Sequence, residues 1–234
     1  MAGGATADGA RRLFARHRRR SAPQALTLHG LTGRGASSNV TPVMAARGSV
    51  ALTRWRRGAV RRMAASREST LALVARLPER EILRPRTQDR WSVKDVLTHL
   101  LSCDEETLRR FRLIARGHGD RIRWFESMAD ADRFNARSVA RARRLGLRTV
   151  LRRMARVRAE LIMTFERLPT EALGDPSHAY TVVQWLPAPG WSHERDHVSE
   201  IRAWWRGQRT AQAGRRPRGR ATVASNRRRG SRQS

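Results

Sequence analysis

Residues 147–168 place Leu147, Val150, Met154, Val157, Leu161, Phe165 and Leu168 at steps of three and four, the spacing that lines one side of an α-helix. Arg148, Arg152, Arg153 and Arg156 fall off that stripe, as residues facing water should. A helix apolar along one side must bury that side against other elements. Residues 93–116 supply one partner. Ser92, with Asp95 three positions on, has the S-x-x-D pattern of a capping box, and the buried stripe is Val93, Val96, Leu97, Leu100, Leu101, Leu108 and Phe111, with an end near Gly117. Residues 64–77 supply another, with Leu71, Val74 and Leu77 on one side and Pro78 as the stop. A last helix opens after Pro189 and Gly190 and runs to about Trp205, while a shorter one over 130–144 leads through Gly146 into the long helix that Pro169 closes. No segment alternates as a strand. The expected fold is all-α, an antiparallel four-helix bundle.

Charge divides the chain into three parts. Of 49 basic residues only Lys94 is a lysine; residues 1–62 hold 13 arginines and residues 206–234 hold 10, against the single acid Asp8. The middle, residues 63–205, keeps 26 basic and 19 acidic residues and is only mildly basic. The first 50 positions mix Gly, Ala, Ser, Thr and Arg without a sustained apolar period, so residues 1–62 are expected to be a disordered Arg-rich extension. Such an extension loosely resembles a transit peptide, and a translation start placed too early would give the same composition, with Met63 the true start. Residues 206–234 read as a disordered basic tail. One cysteine, Cys103, excludes an intramolecular disulfide and fits a cytoplasmic address. No apolar run reaches the ~18 residues of a membrane span.

On the fourth helix His193 and His197 stand four apart, which puts both rings on one face, in line with Glu200 and Trp204. His99 lies at the edge of the second helix's apolar stripe, beside Val96 and Cys103. Three neutral imidazoles can share one metal ion and leave a position for water. The alternative is ordinary packing for His99 and a solvated face for the pair. Cys103, one turn after His99, either joins or replaces a ligand or is a small buried hydrophobe. Trp185, Trp191, Trp204 and Trp205 form either an aromatic wall or core packing, and residues 169–189, with His178 and Tyr180, either a rim over the site or an ordinary loop.

The stretch RWSVKDVLTHLLSCDEETLRRF, the segment DADRFNAR and the closing WSHERDHVSEIRAWW resemble the DinB/YfiT-like superfamily, in particular its DinB-like and ClbS/DfsB-like members, and are similar to the N-terminal domain of mycothiol-dependent maleylpyruvate isomerase. The resemblance implies a four-helix bundle with a longer connection between its second and third helices, over 117–130. It also implies a divalent ion (zinc, nickel or iron) held at the positions of His99, His193 and His197. The activities it implies are transfer or isomerisation with a low-molecular-weight thiol such as mycothiol or bacillithiol, and hydrolysis of a reactive small molecule.

Three function classes remain in view. The first is a metal-dependent thiol transferase or hydrolase acting on an electrophilic small molecule, with Glu200, Asp95 or Glu106 orienting a ligand or moving a proton. The second is a ClbS-like bundle that protects or sequesters without metal chemistry. The third is a nucleic-acid-binding protein using the Arg-rich ends, prompted by a pI near 12.0. An exposed apolar face would favour a homodimer.

Overall fold

The computed structural model describes residues 42–86, 91–175 and 177–214. They are helical apart from turns, loops and one isolated bridge between Pro85 and Ser92. In chain order the helices are α1 (Pro42–Val74), α2 (Glu79–Leu83), α3 (Val93–Ala115), α4 (Met128–Ala142), α5 (Leu147–Glu166), α6 (Val182–Trp185) and α7 (His193–Gly214). Among the described residues no helix is long and apolar enough to cross a membrane.

The periodic stripes read from the sequence are the core. Every stripe residue expected on α3 is buried, as are Val150, Met154, Val157, Leu161, Phe165 and Leu168 from α5 and the turn after it. Phe111 stacks on Phe165 with ring centroids 5.2 Å apart, and Trp55 meets Phe165 edge-on. The capping box at α3 is present in both directions: Asp95 N donates to Ser92 Oγ and Ser92 N donates to Asp95 Oδ2, each at 3.0 Å. Gly117 ends the helix with φ +73°, a conformation that L side chains adopt only with strain.

Two expectations need correction. The first helix does not begin near Ala64 but at Pro42, so a third of the stretch expected to be disordered is helix; residues 1–41 lie outside the described residues. Leu52, Trp55, Ala59 and Met63 recur at steps of three and four, and Ala59 and Met63 are fully buried. Five of the eight positions between them are arginines, which masks that stripe in any compositional reading. Arg56 also donates to the Glu166 and Leu168 carbonyls, satisfying acceptors left over at the end of α5. At the other end α7 continues through Gly207 to Gly214, so the basic tail begins later than Arg206; residues 215–234 lie outside the described residues.

The second correction concerns direction. Arg153 pairs with Glu105 and Arg112 with Glu160, both across a separation of 48 residues, so α3 and α5 run the same way. Arg56 reaches Leu168 whereas Arg67 reaches Met154, so α1 runs against α5. Arg62 lies over Trp191 and Arg202 donates to Ser69, so α7 runs with α1. The simple alternation of an antiparallel bundle therefore does not hold for the middle pair. Two helices of the same sense need a connection that returns along the bundle, and residues 116–146 provide it, with α4 lying along α3. Ala131, Asn135, Ser138, Val139 and Ala142 form its buried side.

At mid-height four charges join the long helices. Arg67 of α1 donates to Glu194 Oε1 and Asp104 Oδ2, each at 2.8 Å. Arg158 of α5 donates through Nη2 to Asp104 Oδ1 and Glu194 Oε2, each at 2.8 Å, and through Nη1 to the Gly190 carbonyl at 2.6 Å. Ser66 and Thr70 donate to the Glu194 carboxylate as well. All four charged side chains are buried, two of each sign. Burial alone would favour protonating Glu194, but Arg67 and Arg158 outweigh it and hold its carboxyl below the usual range.

Removing one member of such a set leaves an uncompensated charge in the interior, a loss of about 3–5 kcal/mol. Arg158→Met should therefore lower the urea midpoint far more than Arg152→Met at the surface of the same helix; equal midpoints would show the network to be unimportant. Trp55→Ala should cost on the order of 2 kcal/mol, less than the ~3–5 of a fully buried tryptophan because Trp55 is half-buried. No loss would mean that the upstream turns of α1 do not belong to the folded unit.

Candidate metal centre

The charge network fixes the rotation of α7, and the rotation places its histidines. Glu194 points fully inward at 0% exposure, so His193 and His197, one position before and three after it, flank the face turned to α3. Immediately before them residues Ala188–Ser192 form a π-helical turn, whose wider ring admits one extra residue and frees the Gly190 carbonyl for Arg158. Gly190 itself sits against Leu186 and Met63, where a Cβ would come within 3.2 Å of Leu186 Cδ1.

From the opposite side α3 presents His99, 2% exposed. Its Nε2 lies 3.2 Å from His193 Nε2, and His197 Nε2 lies 3.0 Å from the same His193 atom. The three rings expected from sequence therefore meet. Cys103, one turn along α3, brings its sulfur to 3.8 Å from His99 Nε2. The ligand atoms of His99, Cys103 and His193 all lie within 4.8 Å of one another, a group that could hold a metal ion. Trp91 packs against His99 with centroids 5.2 Å apart.

Electrostatics suit a neutral donor set. Burial, with His197 alongside, pushes His99 down from its ordinary 6.5 to about 3, so its ring is uncharged and a nitrogen lone pair is available at neutral pH. Burial, reinforced by Asp104, pushes the Cys103 thiol up to about 12, so without a cation beside it the sulfur keeps its proton and is a poor nucleophile.

Of the three carboxylates considered for chemistry, only Glu200 faces a ring of the cluster: its Oε2 is 3.6 Å from His197 Nδ1, a buried nitrogen with no hydrogen-bond partner. Asp95 is occupied by the α3 cap. Burial would favour protonating Glu106, yet Arg109 and Arg110 outweigh it and hold it ionised, which leaves no proton for it to donate near neutrality. The tryptophans follow the packing alternative, Trp185 within the core and Trp191, Trp204 and Trp205 against it. Trp185 packs on Phe111 and Trp124, Trp191 lies under Arg62, and Trp204 contacts Trp205. Neither His178 nor Tyr180 lies at the histidines. His178 rests on Gly119 and Tyr180 on Trp124, beyond the C-terminal end of α3 and about 24 Å along the helix from His99.

Sequence reasoning missed Arg67, Asp104, Arg158 and Glu194. The signal was there: Asp104 stands midway between Leu100 and Leu108 on the stripe of α3, and Arg158 four positions after Met154 on that of α5. A charge at the centre of an apolar stripe has to be paired if it is buried.

A profile of the DinB superfamily matches residues 62–201. No curated protein and no solved structure matches the chain.

Because His99 is neutral when buried and takes a proton when unfolded, its contribution to stability is complete above pH 6.5 and is lost as the pH falls toward about 3. In chelator-treated protein, His99→Gln should flatten the decline of unfolding free energy over that window, which for one proton has a slope of at most about 1.4 kcal/mol per pH unit. An unchanged slope would contradict the burial of a neutral ring. Asp95→Ala should cost about 1 kcal/mol as a lost cap while leaving metal content unchanged.

Proposed function

Since the chain belongs to the DinB superfamily, we propose that it is a metal-dependent enzyme in which His99, His193 and His197 hold one divalent ion, zinc, nickel or iron, and act on an electrophilic small molecule. The observation that carries this reading is the contact made by a single atom. His193 Nε2 has two ring nitrogens at 3.2 and 3.0 Å, but a neutral imidazole nitrogen offers either one proton or one in-plane lone pair. That atom can therefore complete a linear hydrogen bond with only one of the two nitrogens, and the other contact is left uncompensated unless a cation lies among the three. A bound ion would supply a deprotonated thiol, such as mycothiol or bacillithiol, or a deprotonated water, as the nucleophile.

The residues around the rings have definable parts in this. Arg67 and Arg158 anchor Glu194 and so keep His193 and His197 turned toward α3. Trp91 closes one side of His99 and excludes water there. Glu200, 39% exposed, is a short swing from accepting the Nδ1 proton of His197, which would fix the tautomer that leaves Nε2 free to coordinate. It is a positioning residue in this reading rather than the proton carrier.

Metal analysis of purified protein tests the proposal. Wild type is expected to retain about one equivalent of a transition metal and His197→Ala substantially less, whereas equal content would overturn the reading. Glu200→Ala should lower affinity about 10–100-fold, measured by competition with a chromophoric chelator.

A further inference from the structure

We infer that Cys103 is a fourth donor to the same ion, so that three imidazoles and one thiolate arrive as two pairs spaced four apart on facing helices: His99 with Cys103 from α3, and His193 with His197 from α7. The inference rests on the three-histidine reading above and adds the sulfur to it.

The spacing of the donors carries it. Four ligands arranged tetrahedrally about a zinc-sized ion, at the usual bond lengths to nitrogen and sulfur, stand about 3.3 Å apart between nitrogens and about 3.6 Å apart between nitrogen and sulfur. Of the six separations in such a set, three stand close to these values: 3.2 and 3.0 Å for the two nitrogen pairs through His193, and 3.8 Å from the Cys103 sulfur to His99 Nε2, the sulfur lying 3.9 Å from His99 Nδ1 as well. The sulfur and the ligand atoms of His99 and His193 all fall within 4.8 Å of one another. Binding requires that the S–H bond break as the sulfur–metal bond forms, with the proton passing to solvent. A four-donor set of this kind shields the ion from water until one ligand moves away, and it favours soft or borderline ions over hard ones.

Cobalt(II) makes the test direct, because Cys103 is the single cysteine of the chain and any thiolate signal has one source. The full-length protein, stripped with chelator and titrated with cobalt(II) in thiol-free buffer, should develop visible ligand-field bands together with a near-ultraviolet thiolate-to-cobalt charge-transfer band. Cys103→Ser and Cys103→Ala should each lose the charge-transfer band and keep the visible ones. Visible bands without charge transfer in wild type would overturn the sulfur ligand and leave the three-histidine site standing. Cobalt that fails to bind at all would overturn both. The wild-type spectrum decides even if both variants fail to fold.

Discussion

Two arginines and two carboxylates buried at mid-height constrain this bundle more than any apolar contact does. Burying four charges is costly, and the cost is offset only when each oxygen and each guanidinium nitrogen meets its partner at hydrogen-bond distance. That condition links α1, α3, α5 and α7 through one set of atoms, with Gly190 O and the Ser66 and Thr70 hydroxyls completing it. Apolar stripes tolerate small rotations and slips of a helix; a doubly paired carboxylate does not. The network thus sets the rotation and height of each long helix about its neighbours.

The histidine cluster inherits that precision. Glu194 lies between the two histidines of α7 in sequence, and Asp104 immediately follows Cys103 on α3. Anchoring each acid to the same two arginines fixes the adjoining donors, so His99 Nε2 and His197 Nε2 each come within hydrogen-bond distance of His193 Nε2. Preorganisation of this kind spares the entropy of ordering the donors when an ion arrives. The π-helical turn before His193 serves the same end, since its extra residue gives Arg158 a carbonyl to bind and lets α7 begin with its histidine turned inward.

Much of the architecture was legible before any coordinates. Helices α3 and α5, the capping box, the stop at Gly117 and the shared face of His193 and His197 follow from local spacing, and local spacing is what a sequence displays; the meeting of His99 with that pair, 94 positions away, was implied by the family resemblance. Helix α1 was legible only in part: Leu52, Trp55, Ala59 and Met63 carry a helical period, but the arginines among them conceal it, and the benefit of burying Trp55 depends on Phe165, 110 positions away. Glu106 and Asp95 looked as available for chemistry as Glu200 because a string of residues does not show that arginines or a cap already hold them.

By itself the sequence determined α3 and α5 with their apolar faces, parts of α1, α4 and α7, the family and the candidate ligands, because each is set by residues within a few turns or by a short motif. Tertiary structure alone decided that α3 and α5 run in the same sense, that the connection over residues 116–146 must travel back along the bundle, and that Arg67, Asp104, Arg158 and Glu194 form one interior network. Those features depend on pairings between residues 30 to 130 positions apart, whose energies arise only once the chain has folded and water has been excluded from between the charges.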